Sequence, residues 1–148
     1  MPRKIKDCRI LLIEDERSVR EIIKAYLEKL GIQEVEDCPS AEYAWEQLVG
    51  AKARVFDVII VDLQLPGIGG LSFIKKLRSI NHPKAQSIPI IILTSTNDPE
   101  MYKRLERYNI TTYLIKPVSP GVLEGALEKA LSGRVANARP VSTAPKFD

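Results

Sequence analysis

Glu14, Asp15 and Glu16 follow directly on the apolar run RILLI (9–13), and Asp62 closes a second run, FDVIIV (56–61). Thr94, Ser95 and Thr96 follow a third, IPIIIL (88–93), and Lys116-Pro117 follows TTYLI (111–115). Taken singly, each has a bland reading. Acids after a strand complement the amino-terminal dipole of the next helix. Asp62 suits the turn before Pro66-Gly67, Thr94 could cap a helix, and Lys116 could be a surface ammonium. Their shared position, each just past an apolar run, changes the odds. Two carboxylates about 4 Å apart repel by roughly 4 kcal/mol at an effective dielectric of 20. A cluster of them must protonate or recruit a cation. Hard oxygen ligands suit Mg²⁺, which takes one or two carboxylates together with phosphate oxygens. A hydroxyl and an ammonium opposite form a half-site for an anion bridging to that metal. Phosphoryl transfer is the chemistry such a set supports.

The elements that must position these groups follow from the hydrophobic pattern. Five short β-rich runs, 9–13, 33–37, 56–61, 88–93 and 111–115, alternate with five segments of helical spacing. In the first, Val19, Ile22, Ile23, Tyr26, Leu27 and Leu30 keep the three-four rhythm, and Gly31 stops it. Ser40 can cap the second, which would bury Ala41, Ala44, Trp45 and Leu48. The third covers 70–79 with Leu71, Ile74 and Leu77 inward, and the fourth runs from about 99 to 108. The fifth carries Val122, Leu123, Ala126, Leu127, Ala130 and Leu131 and stops at Gly133. Alternation of this kind predicts an α/β domain, a parallel sheet with helices on both faces. The polar run QEVED (33–37) belongs at an edge. In such a sheet the carboxyl ends of the strands share one rim, where sites form.

The stretches ILLIEDE, DVIIVDLQLPGIGG, IPIIILTS and YLIKP, in that order and spacing, resemble the receiver domain of two-component response regulators over residues 7–132, in its single-domain, chemotaxis-regulator-like form. The resemblance implies a doubly wound, flavodoxin-like sheet of order 2-1-3-4-5. It implies that Asp62 is the phosphoacceptor, and that Asp15, Asp62 and the backbone carbonyl of Gln64 bind Mg²⁺, with Glu14 acting through a metal-bound water. Thr94 would bond a phosphoryl oxygen and Lys116 would pair with the phosphoryl charge, aimed by a cis Lys116-Pro117 peptide. Tyr113 would turn inward as Thr94 is drawn to the phosphate. Gln64 and Thr96 would flank the path of the hydrolytic water and set the phosphoryl lifetime. The donor would be a sensor histidine kinase or histidine phosphotransfer protein. Output would pass through the face of helix 4, strand 5 and helix 5. Three departures bear on that face and its neighbours. Gly69 replaces a more usual polar residue, which would loosen the start of helix three. YNITTYLIKP lacks a Gly-Ala before the aromatic strand, and Val118 stands where Phe is frequent.

Composition narrows the rest. The 148 residues are 45% hydrophobic and 28% charged, with a net charge of +3, as in one globular domain. No apolar run approaches the ~20 residues of a membrane span, and nothing after MPRKIKDCR serves as a secretory signal, so a cytoplasmic protein is expected. No basic stripe with interleaved aromatics points to nucleic acid. Residues 133–148, rich in Ala, Pro and Arg, read as a flexible tail or linker start. His82, in NHPKAQ, reads as a solvated loop residue rather than a phosphohistidine. Cys8 and Cys38 should sit at opposite ends of neighbouring parallel strands, roughly 15 Å apart at ~3.3 Å per residue, too far for a disulfide. A haloacid-dehalogenase-type phosphatase would need an aspartate where Gln64 stands, and a flavodoxin-like cofactor carrier a hydroxyl-rich loop instead of EDE. With no effector domain visible, a stand-alone shuttle or relay intermediate is expected. The alternatives are a receiver excised from a larger regulator and a phosphorylation-independent scaffold.

Overall fold

Five parallel strands form one sheet: β1 (Arg9–Ile13), β2 (Glu34–Cys38), β3 (Val58–Asp62), β4 (Ile90–Thr94) and β5 (Ile110–Ile115). Their order is β2-β1-β3-β4-β5, as expected. The structure is a computed structural model and describes residues 4–51 and 53–133. The predicted tail, Gly133 apart, lies outside the described residues. Helices α1 (Arg17–Lys29), α2 (Ala41–Val49), α3 (Gly70–Ser79), α4 (Pro83–Gln86), α5 (Pro99–Leu105) and α6 (Pro120–Ser132) connect and flank the strands.

The continuous apolar runs have the expected cause. Every residue of β3 and β4 is buried, because helices cover both faces of a parallel sheet. Ile10, Leu12, Val58, Ile60, Ile91, Leu93 and Leu114 meet Ile23, Leu27, Leu123 and Leu127 of α1 and α6. The alternate residues, among them Leu11, Ile13, Ile59, Val61, Ile90 and Ile92, meet Leu48, Phe73, Leu77 and Leu105 of α2, α3 and α5. The polar strand β2 is at an edge and only its last residue is buried. Cys8 belongs to the first of these layers and Cys38 to the second, and both are thiols. Parallel pairing from Arg9↔Glu34 to Ile13↔Cys38 sets them at opposite rims.

Four local expectations change. Ile22 faces solvent, 51% exposed, because the buried stripe of α1 follows Ile23 and Leu27. On α3 the inward aromatic is Phe73, while Leu71 only packs at the margin. NHPKAQ is not a plain loop: Pro83 begins the one-turn helix α4, and His82 caps it, its Nδ1 accepting from the Ala85 amide at 3.3 Å. Proline at a first helical position has its φ preset and no amide to waste. The predicted fourth helix is α5, capped by Asp98; it ends at Leu105 and passes through a 3₁₀ turn, Glu106–Tyr108, into Asn109 at φ 54°. Asn tolerates that left-handed conformation, so the chain turns into β5 without a glycine.

The rim opposite the carboxyl ends is tied by one side chain. Arg78 donates to the carbonyls of Tyr108, Gln86 and Ile88, each at 2.7 Å, and of Asn109 at 3.2 Å. Burial lowers its pKa to about 10, which leaves it charged at neutral pH. It joins the end of α3 to α4 and to the turns that lead into β4 and β5.

Candidate functional site

The carboxyl rim gathers the predicted residues. Asp62 and Thr94 are themselves the last residues of β3 and β4, one position further into the sheet than the apolar runs suggest. Ladder bonds continue past the strands: Glu14 N donates to Cys38 O at 3.0 Å, Leu63 N to Leu93 O at 3.0 Å, and Lys116 N to Thr94 O at 2.8 Å. The start of each loop is thereby held as rigidly as the sheet. Glu14, Asp62 and Thr94 are buried, Lys116 is half-buried, and Asp15 is exposed. The Lys116-Pro117 peptide is cis.

Lys116 Nζ lies 2.9 Å from Asp62 Oδ2 and 2.5 Å from Glu14 Oε1. One ammonium thus serves two buried carboxylates. The second Asp62 oxygen, Oδ1, accepts from the Gln64 amide at 2.9 Å. Burial, with the neighbouring Asp62 charge, pushes the Glu14 pKa up to about 7 against the opposing pull of Lys116. Burial also disfavours the Lys116 ammonium, but its bonds to Glu14 and Asp62 outweigh that and raise its pKa.

The donor set fits a hard divalent cation. Glu14, Asp15 and Asp62 each offer an oxygen within 4.8 Å of the others. Glu14 Oε1, although ion-paired, has no hydrogen bond of acceptable geometry. Three carboxylates against one ammonium leave an excess of negative charge that a cation would balance.

Gln64 differs most from expectation. Its side chain spans from the β3 loop to the end of β4: Nε2 donates to Thr94 Oγ1 at 3.2 Å, and Oε1 accepts from Ser95 N at 3.2 Å and Ser95 Oγ at 3.3 Å. Thr94 Oγ1 donates in turn to the Thr96 carbonyl at 3.1 Å. That carbonyl also accepts from the Tyr102 hydroxyl at 3.2 Å. The Tyr102 ring packs on Tyr113, centroids 4.8 Å apart. Tyr113 is already buried here, and burial pushes its hydroxyl pKa up to about 12. Tyr102 and the donor role of Ser95 are not legible in the sequence. The inward position of Tyr102, one helical turn before Leu105, is the only available signal.

Gly70 holds the β3–α3 loop against the site. A methyl group there would collide with the Asp62 carbonyl oxygen and lie 2.8 Å from Leu63 Cα, whereas one on Gly69 would meet nothing within 4 Å. Gly70→Ala should therefore destabilise the fold by about 1–3 kcal/mol, the usual cost of overpacking. Gly69→Ala should stay within about 0.5 kcal/mol of the parent. Urea unfolding of the two variants checks the contrast, and equal midpoints would remove the steric argument.

Residues 10–128 match the family described as response regulator receiver domain. The chain is 33% identical over 123 residues to chemotaxis protein CheY1 of Helicobacter pylori, covering 83% of this chain and 96% of that protein. It is 36% identical over 120 residues to the probable C4-dicarboxylate response regulator DctR of Halalkalibacterium halodurans, covering 80% of this chain and 49% of that longer protein. Among solved structures, the chemotaxis response regulator CheY4 of Vibrio cholerae superposes with a TM-score of 0.73 at 29% identity, covering 84% of this chain and 98% of that one.

Proposed function

The chain belongs to the response regulator receiver domain family of two-component signalling, and we propose that Asp62 is the residue that takes the phosphoryl group. The observation that carries this is the pairing of Asp62 with Lys116 at 2.9 Å in a carboxylate cluster at the end of β3. In the transfer, an Asp62 carboxylate oxygen forms a bond to phosphorus as the phosphorus–nitrogen bond of a phosphohistidine breaks. The imidazole leaves with the bonding pair, as neutral imidazole when its other nitrogen carries a proton. Lys116 faces the charge that develops on the phosphoryl oxygens, and the Thr94 hydroxyl would exchange its bond to the Thr96 carbonyl for a bond to one of them. Positioning and charge stabilisation supply most of such a catalysis. Mg²⁺ held by Asp15, Asp62 and the Gln64 carbonyl, with Glu14 behind them, would neutralise charge on the transferring group.

The activity is confined to the domain's own phosphorylation and dephosphorylation. The family match over 10–128 supports a receiver unit of 7–132. The donor is a sensor histidine kinase or histidine phosphotransfer protein. Output runs through α5, β5 and α6, because Thr94 ends β4 and Lys116 directly follows β5, the two strands that α5 connects. Two buried thiols support action in the cytoplasm, and no helix among the described residues is long and apolar enough to cross a membrane. The test is transfer of radiolabel from autophosphorylated histidine kinases of the source organism. Labelling of the chain by at least one kinase on a time scale of minutes supports the reading. A chain that accepts label from none of them loses its proposed donor class.

A further inference from the structure

We infer that the Gln64 side chain occupies the place of a phosphoryl oxygen in the unphosphorylated domain and must be displaced before the Ser95 donors can bind the phosphoryl group. The inference rests on Asp62 as the acceptor. Two donors of Ser95, its amide at 3.2 Å and its hydroxyl at 3.3 Å, converge on the single oxygen Oε1 of Gln64. Convergent backbone and hydroxyl donors at a strand end are what an anionic oxygen seeks. The same side chain engages Thr94 Oγ1 through Nε2, and its own backbone amide bonds Asp62 Oδ1. Gln64 therefore links the acceptor carboxylate to the donors that would face a phosphoryl group upon it. Both cannot hold those donors at once.

The neutral amide is a weak substitute for a phosphoryl oxygen. Its Oε1 satisfies the Ser95 amide and hydroxyl in the resting state, yet an anion bonds the same two donors more strongly. Thr94 is tied through Thr96 O to Tyr102, which packs on Tyr113. Release of Gln64 thus removes one bonding partner of a hydroxyl that is linked through Thr96 to α5 and β5. On this account Gln64 is a positioning residue that raises the threshold for activation.

The experiment uses beryllium fluoride with Mg²⁺ as a phosphoryl mimic, titrated into the full chain and followed by the amide resonances of residues 62–70 and 94–96. Gln64→Ala should bind the mimic more tightly, on the order of tenfold, the worth of one net hydrogen bond. Before any mimic is added, its Ser95 amide resonance should move upfield, as expected when an amide loses its acceptor. Gln64→Glu should bind more weakly than wild type, because its carboxylate keeps the Ser95 donors and repels the incoming anion. A structural role alone would weaken both variants and leave no opposite signs. Equal or weaker binding by Gln64→Ala, with wild type responding in an Asp62-dependent way, overturns this inference only. No response from wild type overturns the acceptor assignment, and the inference with it.

Discussion

Asp62→Asn is expected to take up no phosphoryl group from acetyl phosphate and Mg²⁺ under conditions where the wild-type chain takes up one. An amide has neither the negative charge nor the available lone pair of a carboxylate, so the nucleophile itself is removed. The neighbouring acids should not substitute. Glu14 is buried with one oxygen against Lys116 and the other accepting from the Glu16 amide at 3.3 Å. Asp15 is exposed, but neither the Lys116 ammonium nor the Gln64 amide bonds it as they bond Asp62. The loss should not come from unfolding, since the substitution removes one of two buried carboxylates that share a single ammonium. The introduced carboxamide could keep its oxygen towards Lys116, and Glu14 would gain the whole ammonium. Intact-mass spectrometry of the treated protein, with a thermal melt beside it, separates the two causes. Equal labelling of Asp62→Asn and wild type would show that the phosphoryl group sits elsewhere.

The acidic rim can be read from sequence because its parts obey local rules. Asp62 and Thr94 follow unbroken apolar runs, and such runs become interior strands whose ends share a rim whatever the side-chain detail. The same reasoning sets QEVED at the edge, where β2 lies. Helix α4 escapes because four residues carry no period, and a histidine cap leaves little trace beside the usual Ser, Thr, Asp or Asn. Ile22 reads as core because it adjoins Ile23, although only one of two adjacent residues can face the centre of a narrow stripe. The Gln64 bridge is beyond reach for another reason. It depends on the spacing of β3 and β4 and on one rotamer, and neither is encoded within a short window. The resemblance implies a polar side chain beside the water's path; the structure gives it three hydrogen bonds, one to Thr94 at the end of β4 and two to Ser95 just past it. Tyr102 is similar, since its link to Thr96 depends on how α5 docks.

Lys116→Ala should cost about 3–5 kcal/mol of stability at pH 8 without divalent metal, the usual penalty when one partner of a buried ion pair is removed. Glu14 and Asp62 would then face each other with no cation between them. The pH dependence identifies the cause. In the wild-type chain the Glu14 pKa rises from 4.5 to about 7 on folding. A carboxyl raised in this way contributes stability that is fully present below about 4.5 and is lost as pH climbs through about 7. Lys116 is raised from 10.5, so its own contribution is constant across that window and fades only above it. Without Lys116 the carboxyl pKa rises further, and protonation at pH 5 relieves the repulsion. The deficit of Lys116→Ala should therefore shrink markedly between pH 8 and pH 5, and added Mg²⁺ should reduce it at pH 8. Glu14→Gln should flatten the fall of stability between pH 5 and pH 8, and Glu14→Gln/Lys116→Ala should recover most of the loss. Urea unfolding at the two pH values, with and without Mg²⁺, measures all of these. A Lys116→Ala deficit that is the same at pH 5 and pH 8 would assign it to lost packing of the lysine stem rather than to unpaired charge.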